Sequence, residues 1–190
     1  MSPRAGLDLP QIVQTAAQLA DTEGVDAVTL ATVAQRLGVK SPSLYNHVNG
    51  LPALRSHLVL YGLTRLNEAI AGSASGQYGK ATIISIADAY LSFARKHPGL
   101  YSLTLRSPSH EQEEHVKLGE ELVGRLLEVF QPYGLTQEEG IHAVRGLRSL
   151  LHGFASIESE GGFGMAVEVN ESFSFALDRF LAGLEQLGRS

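Results

Sequence analysis

Between positions 41 and 47 the sequence Ser-Pro-Ser-Leu-Tyr-Asn-His gathers five small or planar hydrogen-bonding side chains, Ser41, Ser43, Tyr45, Asn46 and His47. Hydroxyl, amide and imidazole groups at this density match the donors and acceptors displayed on base-pair edges. None is a strong acid or a permanent cation, so the chemistry on offer is hydrogen-bond readout rather than charge neutralisation. Leu44 and Val48, four apart, supply an apolar side. A helix of about two turns is not stable alone in water, so that side must be anchored by a domain.

The preceding residues have the pattern needed to position it. Thr29 is a good helix N-cap, and Leu30, Val33, Ala34 and Leu37 recur at the spacing of one helical face. Gly38 follows the last apolar residue, where a left-handed conformation closes a helix, and Val39 plugs the turn. Ser41 is expected to cap a second helix, with Pro42 presetting φ at its start. Cap, glycine, plug and restart fall in the order of a helix-turn-helix. In that motif the first helix crosses the phosphate backbone and the second turns its N-terminal residues to the major groove. The bland alternative is a helical hairpin on a surface.

Composition narrows the class. A chain of 190 residues builds one good core, or a small domain on a larger one. No apolar run reaches the length of a membrane span and no signal segment opens the chain, so a cytoplasmic location is expected, with no membrane partner. The absence of cysteine removes disulfides, thiol catalysis and cysteine-ligated zinc. The formal net charge of −5 is awkward for a partner of DNA, and through Gly50 the cations Arg4, Arg36 and Lys40 are outnumbered by Asp8, Asp21, Glu23 and Asp26. Arg36 and Lys40 flank the turn, which predicts a modest positive stripe and a correspondingly modest salt dependence.

Helical periodicity runs through every segment, and the expected fold is all-α: a three-helix head over 1–50 and a larger helical body over 51–190. Asp8 and Gln11 resemble a capping box opening the first helix, which Gly24 ends. Leu51 begins a longer helix to about Ala71, with Leu54, Leu58, Tyr61 and Leu66 inward; 72–76 is a linker. A helix over 80–96 stops before Pro98, and 98–105 makes a short one. Ser107-Pro108 breaks the chain, and a helix over 111–130 turns Leu122, Val123, Leu126 and Leu127 inward. After a loop at 132–134, Thr136 and Glu139 form a capping box for a helix to about Glu160. The last helix starts near Asn170.

Gly146, Ser149, Gly153 and Ser156 repeat at three and four, making a flat face that another helix can approach closely. The last helix carries Phe173, Leu177, Phe180, Leu181 and Leu184. Together they offer more apolar surface than one partner covers, which points to a homodimer; the alternative is that the two pack on their own body.

The chain resembles the TetR family of transcriptional repressors over essentially its full length. Leu37-Gly38-Val39 and Leu44-Tyr45-Asn46-His47 carry the specific part, with Ser41-Pro42-Ser43 before the second motif. The stretch 151–164 resembles a His-Gly-containing C-terminal domain of one branch, in which the last two helices form the dimer. The resemblance implies that Ser41, Ser43, Tyr45, Asn46 and His47 contact a palindromic double-stranded operator and that Thr29 meets a phosphate. Two departures stand out: Leu51 where a basic residue is usual, and Ala31 where an arginine is found. Arg4, Thr32, Arg36 or Lys40 are available to replace those contacts, and each is equally an ordinary solvated residue. The family logic also implies a small-molecule effector whose binding draws the recognition helices off register. Tyr61, Tyr90, Phe93, Tyr101, Leu126, His142, Arg145 and His152 are candidates for lining its cavity between the middle helices; aromatics at helical spacing equally make ordinary core.

Catalytic and metal chemistry find no footing. His110 and His115 are five apart, whereas a helical zinc pair needs four, and the glycines at 161–164 lack a phosphate-loop lysine. No Ser-His-acid arrangement stands out, and no cofactor is expected. Two functions remain: a ligand-responsive, homodimeric repressor, or an all-helical ligand- or protein-binding module with little DNA affinity left.

Overall fold

The computed structural model describes residues 7–73, 78–105 and 113–187. Within them the chain forms eight α-helices: α1 (Leu9–Glu23), α2 (Leu30–Leu37), α3 (Gly50–Ser73), α4 (Lys80–Lys96), α5 (Pro98–Thr104), α6 (Glu113–Phe130), α7 (Gln137–Ser159) and α8 (Val169–Leu187). Single 3-10 turns stand at Val25–Ala27 and Gln131–Tyr133, and a longer 3-10 segment at Ser41–Asn46. No strand occurs among the described residues, in agreement with the all-α expectation.

The helix ends follow their capping residues. The Asp8 carboxylate accepts the Gln11 N–H at 2.9 Å, and Gly24 ends α1. At α7 the Thr136 hydroxyl accepts the Glu139 N–H while the Glu139 carboxylate accepts the Thr136 N–H, a reciprocal box. α4 spans the residues its pattern predicts and stops at His97, because Pro98 disfavours helix in the residue before it.

The chain divides into two compact units, the described residues of Met1–Arg65 with Lys96–His115, and Leu66–Arg95 with Val116–Ser190. In the first, Ile12, Ala16, Leu19, Val33, Leu44, Leu54 and Leu58 make the core, joined by Leu100 and Tyr101 of α5. In the second, Ile70, Ile83, Ile86, Phe130, Leu147, Leu177 and Leu181 do the same. α7 packs against α8 there. Arg95 donates to Glu158 at 2.9 Å and to Asn170 at 2.6 Å, tying the end of α4 to the end of α7 and the start of α8.

Several sequence expectations are corrected. Gly72 and Ser73 still belong to α3, whose hydrogen bonds run on through the start of the expected linker; the rest of that linker, 74–77, lies outside the described residues, as do Ser107, Pro108 and His110. Val123 is exposed and not inward, because the buried stripe of α6 runs through Leu126, Val129 and Phe130. The 132–134 loop begins as a 3-10 turn that Gly134 closes in the left-handed conformation.

Candidate nucleic-acid interface

Local sequence builds the interface from Thr29 onward. The Thr29 hydroxyl accepts the Thr32 N–H at 3.1 Å, and the Thr32 hydroxyl accepts the Thr29 N–H at 3.0 Å. Thr32 also donates to the Ala27 carbonyl at 2.8 Å. These bonds satisfy the first free donors of α2 and fix its start. At the far end Gly38 adopts φ +67, its N–H reaching Gln35, while the Val39 N–H reaches the Ala34 carbonyl at 3.0 Å. This paired closure requires the left-handed residue that glycine supplies without strain.

The second helix of the motif differs from its expectation. Ser41–Asn46 is 3-10 and not α-helical, and Ser41 does not cap it; the N-cap position falls on Lys40, which offers no side-chain bond. The Ser43 N–H closes back on the Lys40 carbonyl at 2.9 Å, the three-residue spacing of a 3-10 turn. Pro42 has no N–H to give, and six residues are too few to propagate an α-helix by themselves. Leu44 and Val48 are buried as expected, and the Leu44 carbonyl accepts the N–H groups of both His47 and Val48 at 2.9 Å. Tyr45 is 59 % exposed. Asn46 and His47 are exposed, and Ser41 and Ser43 half-buried. Buried anchors thus hold a short segment whose hydrogen-bonding side chains remain open to solvent.

The cations are distributed unevenly. Arg36 is ion-paired with Glu23 of α1, both side chains half exposed, and with Thr32, Gln35 and Leu19 they line one shallow recess of about 430 Å³ between α1 and α2. Lys40 is exposed beside the turn. Arg55, which no sequence motif marks, is exposed on α3 four positions after Leu51. Arg4 lies outside the described residues.

The other candidates separate between the units. Tyr101 is buried and Tyr61 half-buried in the first unit; Tyr90, Phe93 and Leu126 are buried in the second, where His152 is half-buried. His142 and Arg145 lie exposed on α7, His142 with its Nε2 3.8 Å from Glu138. Phe173, Leu177 and Leu184 are buried within their own unit, and Phe180 is half-buried against Gly146. Ser149 is exposed, Ser156 half-buried, and a Cβ on Gly153 would meet nothing within 4 Å. Three side-chain atoms that sequence patterns do not reveal, Asn67 Oδ1, Thr82 Oγ1 and Tyr133 Oη, are buried in the second unit without a hydrogen-bond partner among the described residues. His115 is buried in α6, and no cluster of three metal-ligating side chains occurs among the described residues. No described helix is long and apolar enough to cross a membrane.

Comparison with known proteins adds a consistent result. Residues 12–47 match the family model of bacterial regulatory proteins of the tetR family, and residues 83–180 match the tetracyclin repressor-like C-terminal domain. An uncharacterized HTH-type transcriptional regulator of Bacillus subtilis, YobS, is 40 % identical over 185 residues, 97 % of this chain and 96 % of that protein. A solved protein of unknown function from Rhodococcus shares the fold with a TM-score of 0.79 at 22 % identity, covering 97 % of this chain and 100 % of that one. A TetR variant of Acinetobacter baumannii, solved in complex with minocycline, has a TM-score of 0.68 at 19 % identity over 97 % of this chain and 100 % of its own.

Proposed function

The chain belongs to the TetR family of DNA-binding transcriptional regulators, and from that premise we propose that it is a repressor released from a palindromic operator by a small-molecule effector. The observation that carries the reading is the pairing of buried Leu44 and Val48 with exposed Tyr45, Asn46 and His47 behind a closed glycine turn. Such a segment offers hydrogen-bonding side chains to base edges at little conformational cost, because its backbone is already held. Ser41 and Ser43 complete the base-facing set. Thr29, Thr32, Lys40 and Arg55 supply phosphate contacts, and Arg36 does so by exchanging Glu23 for a phosphate.

The DNA-binding function belongs to 1–50, joined by Arg55 at the start of α3, and the rest of 51–190 carries dimerisation and effector binding. α7 and α8 meet their copies through the open end of the small-residue face, at Ser149, Gly153 and Ser156. The similarity to a repressor-like C-terminal domain, and to a relative solved with minocycline, supports an effector site in the second unit. Asn67, Thr82 and Tyr133 are the polar atoms it would engage, since a buried polar group left without a partner costs about 1–3 kcal/mol. Moving a two-state regulator from 1:99 to 99:1 takes about 5.5 kcal/mol of effector preference. The protein acts in the cytoplasm and catalyses no reaction.

Selection of bound duplexes from a random DNA pool, repeated with Tyr45→Ala, tests this function. One palindrome recovered by the native protein and lost by the variant is the expected result. Failure to enrich any site at low salt rejects it in favour of a ligand- or protein-binding module.

A further inference from the structure

Asp21, in the last turn of α1, keeps only 14 % of its side chain exposed and commits both carboxylate oxygens to a corner 76 residues further on. Oδ2 lies 2.8 Å from His97 Nδ1, and Oδ1 accepts the Leu100 N–H at 2.9 Å. Leu100 is in the first turn of α5, where backbone donors have no intrahelical acceptor, and His97 at the N-cap position makes no side-chain cap. Asp21 therefore caps α5 from another helix.

The backbones beside this bond are in contact. A Cβ on Gly99 would stand 2.1 Å from the Ala20 carbonyl oxygen and 2.8 Å from the Asp21 nitrogen. On α3, a Cβ on Gly62 would stand 3.0 Å from Thr104 Cγ2 and 3.1 Å from Leu100 Cδ2. α5 is thus wedged between α1 and α3 with a glycine at each closest approach. It also touches the 3-10 turn Val25–Ala27, which leads from α1 to the Thr29 cap of α2.

We propose that Asp21 is a positioning residue for operator binding: by clasping His97 and the start of α5 it fixes the end of α1 and, through the turn at Val25–Ala27, the entry of α2. The inference rests on the DNA-binding reading and assigns Asp21 no contact with DNA. It makes a prediction of unusual sign. Deleting a carboxylate from a protein that binds a polyanion should tighten binding if charge alone matters. A positioning role demands that it weaken binding.

The test uses the full chain and the duplex that the native protein enriches from a random pool, at a temperature where far-UV circular dichroism shows each variant folded. Asp21→Ala should bind about tenfold more weakly, the scale of a lost charge-assisted hydrogen bond, with an unchanged slope of log affinity against log salt. Asp8→Ala is the control: it also removes a carboxylate and a capping bond from α1, at the end away from Asp21, and should bind as tightly as the native protein or slightly more so. Should Asp21→Ala not fold, His97→Ala removes one arm of the clasp while leaving the Leu100 bond, and should weaken binding about threefold. Native or tighter binding by Asp21→Ala overturns the proposal, as does equal weakening by Asp8→Ala, or native binding by His97→Ala where Asp21→Ala does not fold. A native protein that enriches no duplex overturns the DNA reading itself and this proposal with it.

Discussion

A Cβ on Gly146 of α7 would lie 2.8 Å from Cε2 of Phe180 on α8, closer than real side chains approach. The small residue is therefore used inside the chain, to admit an aromatic ring of the neighbouring helix. Gly146→Ala gains about 1 kcal/mol of helix propensity but must push the ring aside, and that overpacking offsets part of the gain. The net effect should be a smaller gain in melting temperature than an unobstructed glycine-to-alanine change gives. Gly124→Ala on α6, where a Cβ would meet nothing within 4 Å, should show the full gain. Thermal unfolding of the pair checks the assignment; equal shifts would reject the close contact.

Gly153, two turns further along α7, has the opposite surroundings, with open space where its Cβ would be. A leucine there meets no obstacle within 4 Å of its Cβ in the single chain, yet in a dimer that uses this face it would hold the two copies apart. Gly153→Leu should therefore leave the far-UV spectrum unchanged and shift the mass in light scattering from dimer to monomer. An unaltered dimer mass would remove this face from the interface.

Tyr45 and His47 are exposed, so truncating either removes little packing and should change stability by no more than about 0.5 kcal/mol. Operator affinity should fall by about tenfold or more for each, the scale of one good base contact. Titration of the selected duplex with Tyr45→Ala and His47→Ala, alongside chemical denaturation, separates the two effects. Native affinity in both variants would remove the base-facing role from this segment.

Much of this molecule is local and therefore legible in one dimension. Thr29, Gly38 and Pro42 act on their immediate neighbours, so the start of α2, its left-handed end and the restart after it could be read from residue type and spacing alone. Asp8 and Thr136 announced their helices for the same reason. The 3-10 character of Ser41–Asn46 was not legible, because six residues leave the choice between two closures to tertiary anchoring of Leu44 and Val48. Nor was the small-residue face, in which Gly146 and Gly153 look alike in sequence but differ in what packs on them. The bond between Asp21 and His97 joins residues whose types match many harmless surface pairs, and no periodicity marks it.

Glu139 gives the fold a defined response to acid. Its carboxylate accepts both the N–H and the hydroxyl of Thr136, each at 2.8 Å, and the backbone bond above all, then the hydroxyl bond, lowers its pKa below the ordinary value. A carboxyl with a depressed folded pKa contributes stability that is present above its unfolded pKa and disappears as pH falls through the folded one. Glu139→Gln removes the charge while retaining an acceptor, so it isolates this contribution. The native protein should melt higher than the variant near neutral pH, and the gap should close as pH drops below the ordinary carboxylate range of about 4. Asp178 behaves alike in sign, its pKa lowered first by the hydrogen bond from Lys80 and then by the lysine's charge. The lysine pair has its own test: added sodium chloride should shrink the difference between the native protein and Lys80→Met by screening an exposed pair. Melting curves from about pH 7 to about pH 3, at low and high salt, read both; a Glu139→Gln gap that widens in acid would contradict the capping assignment.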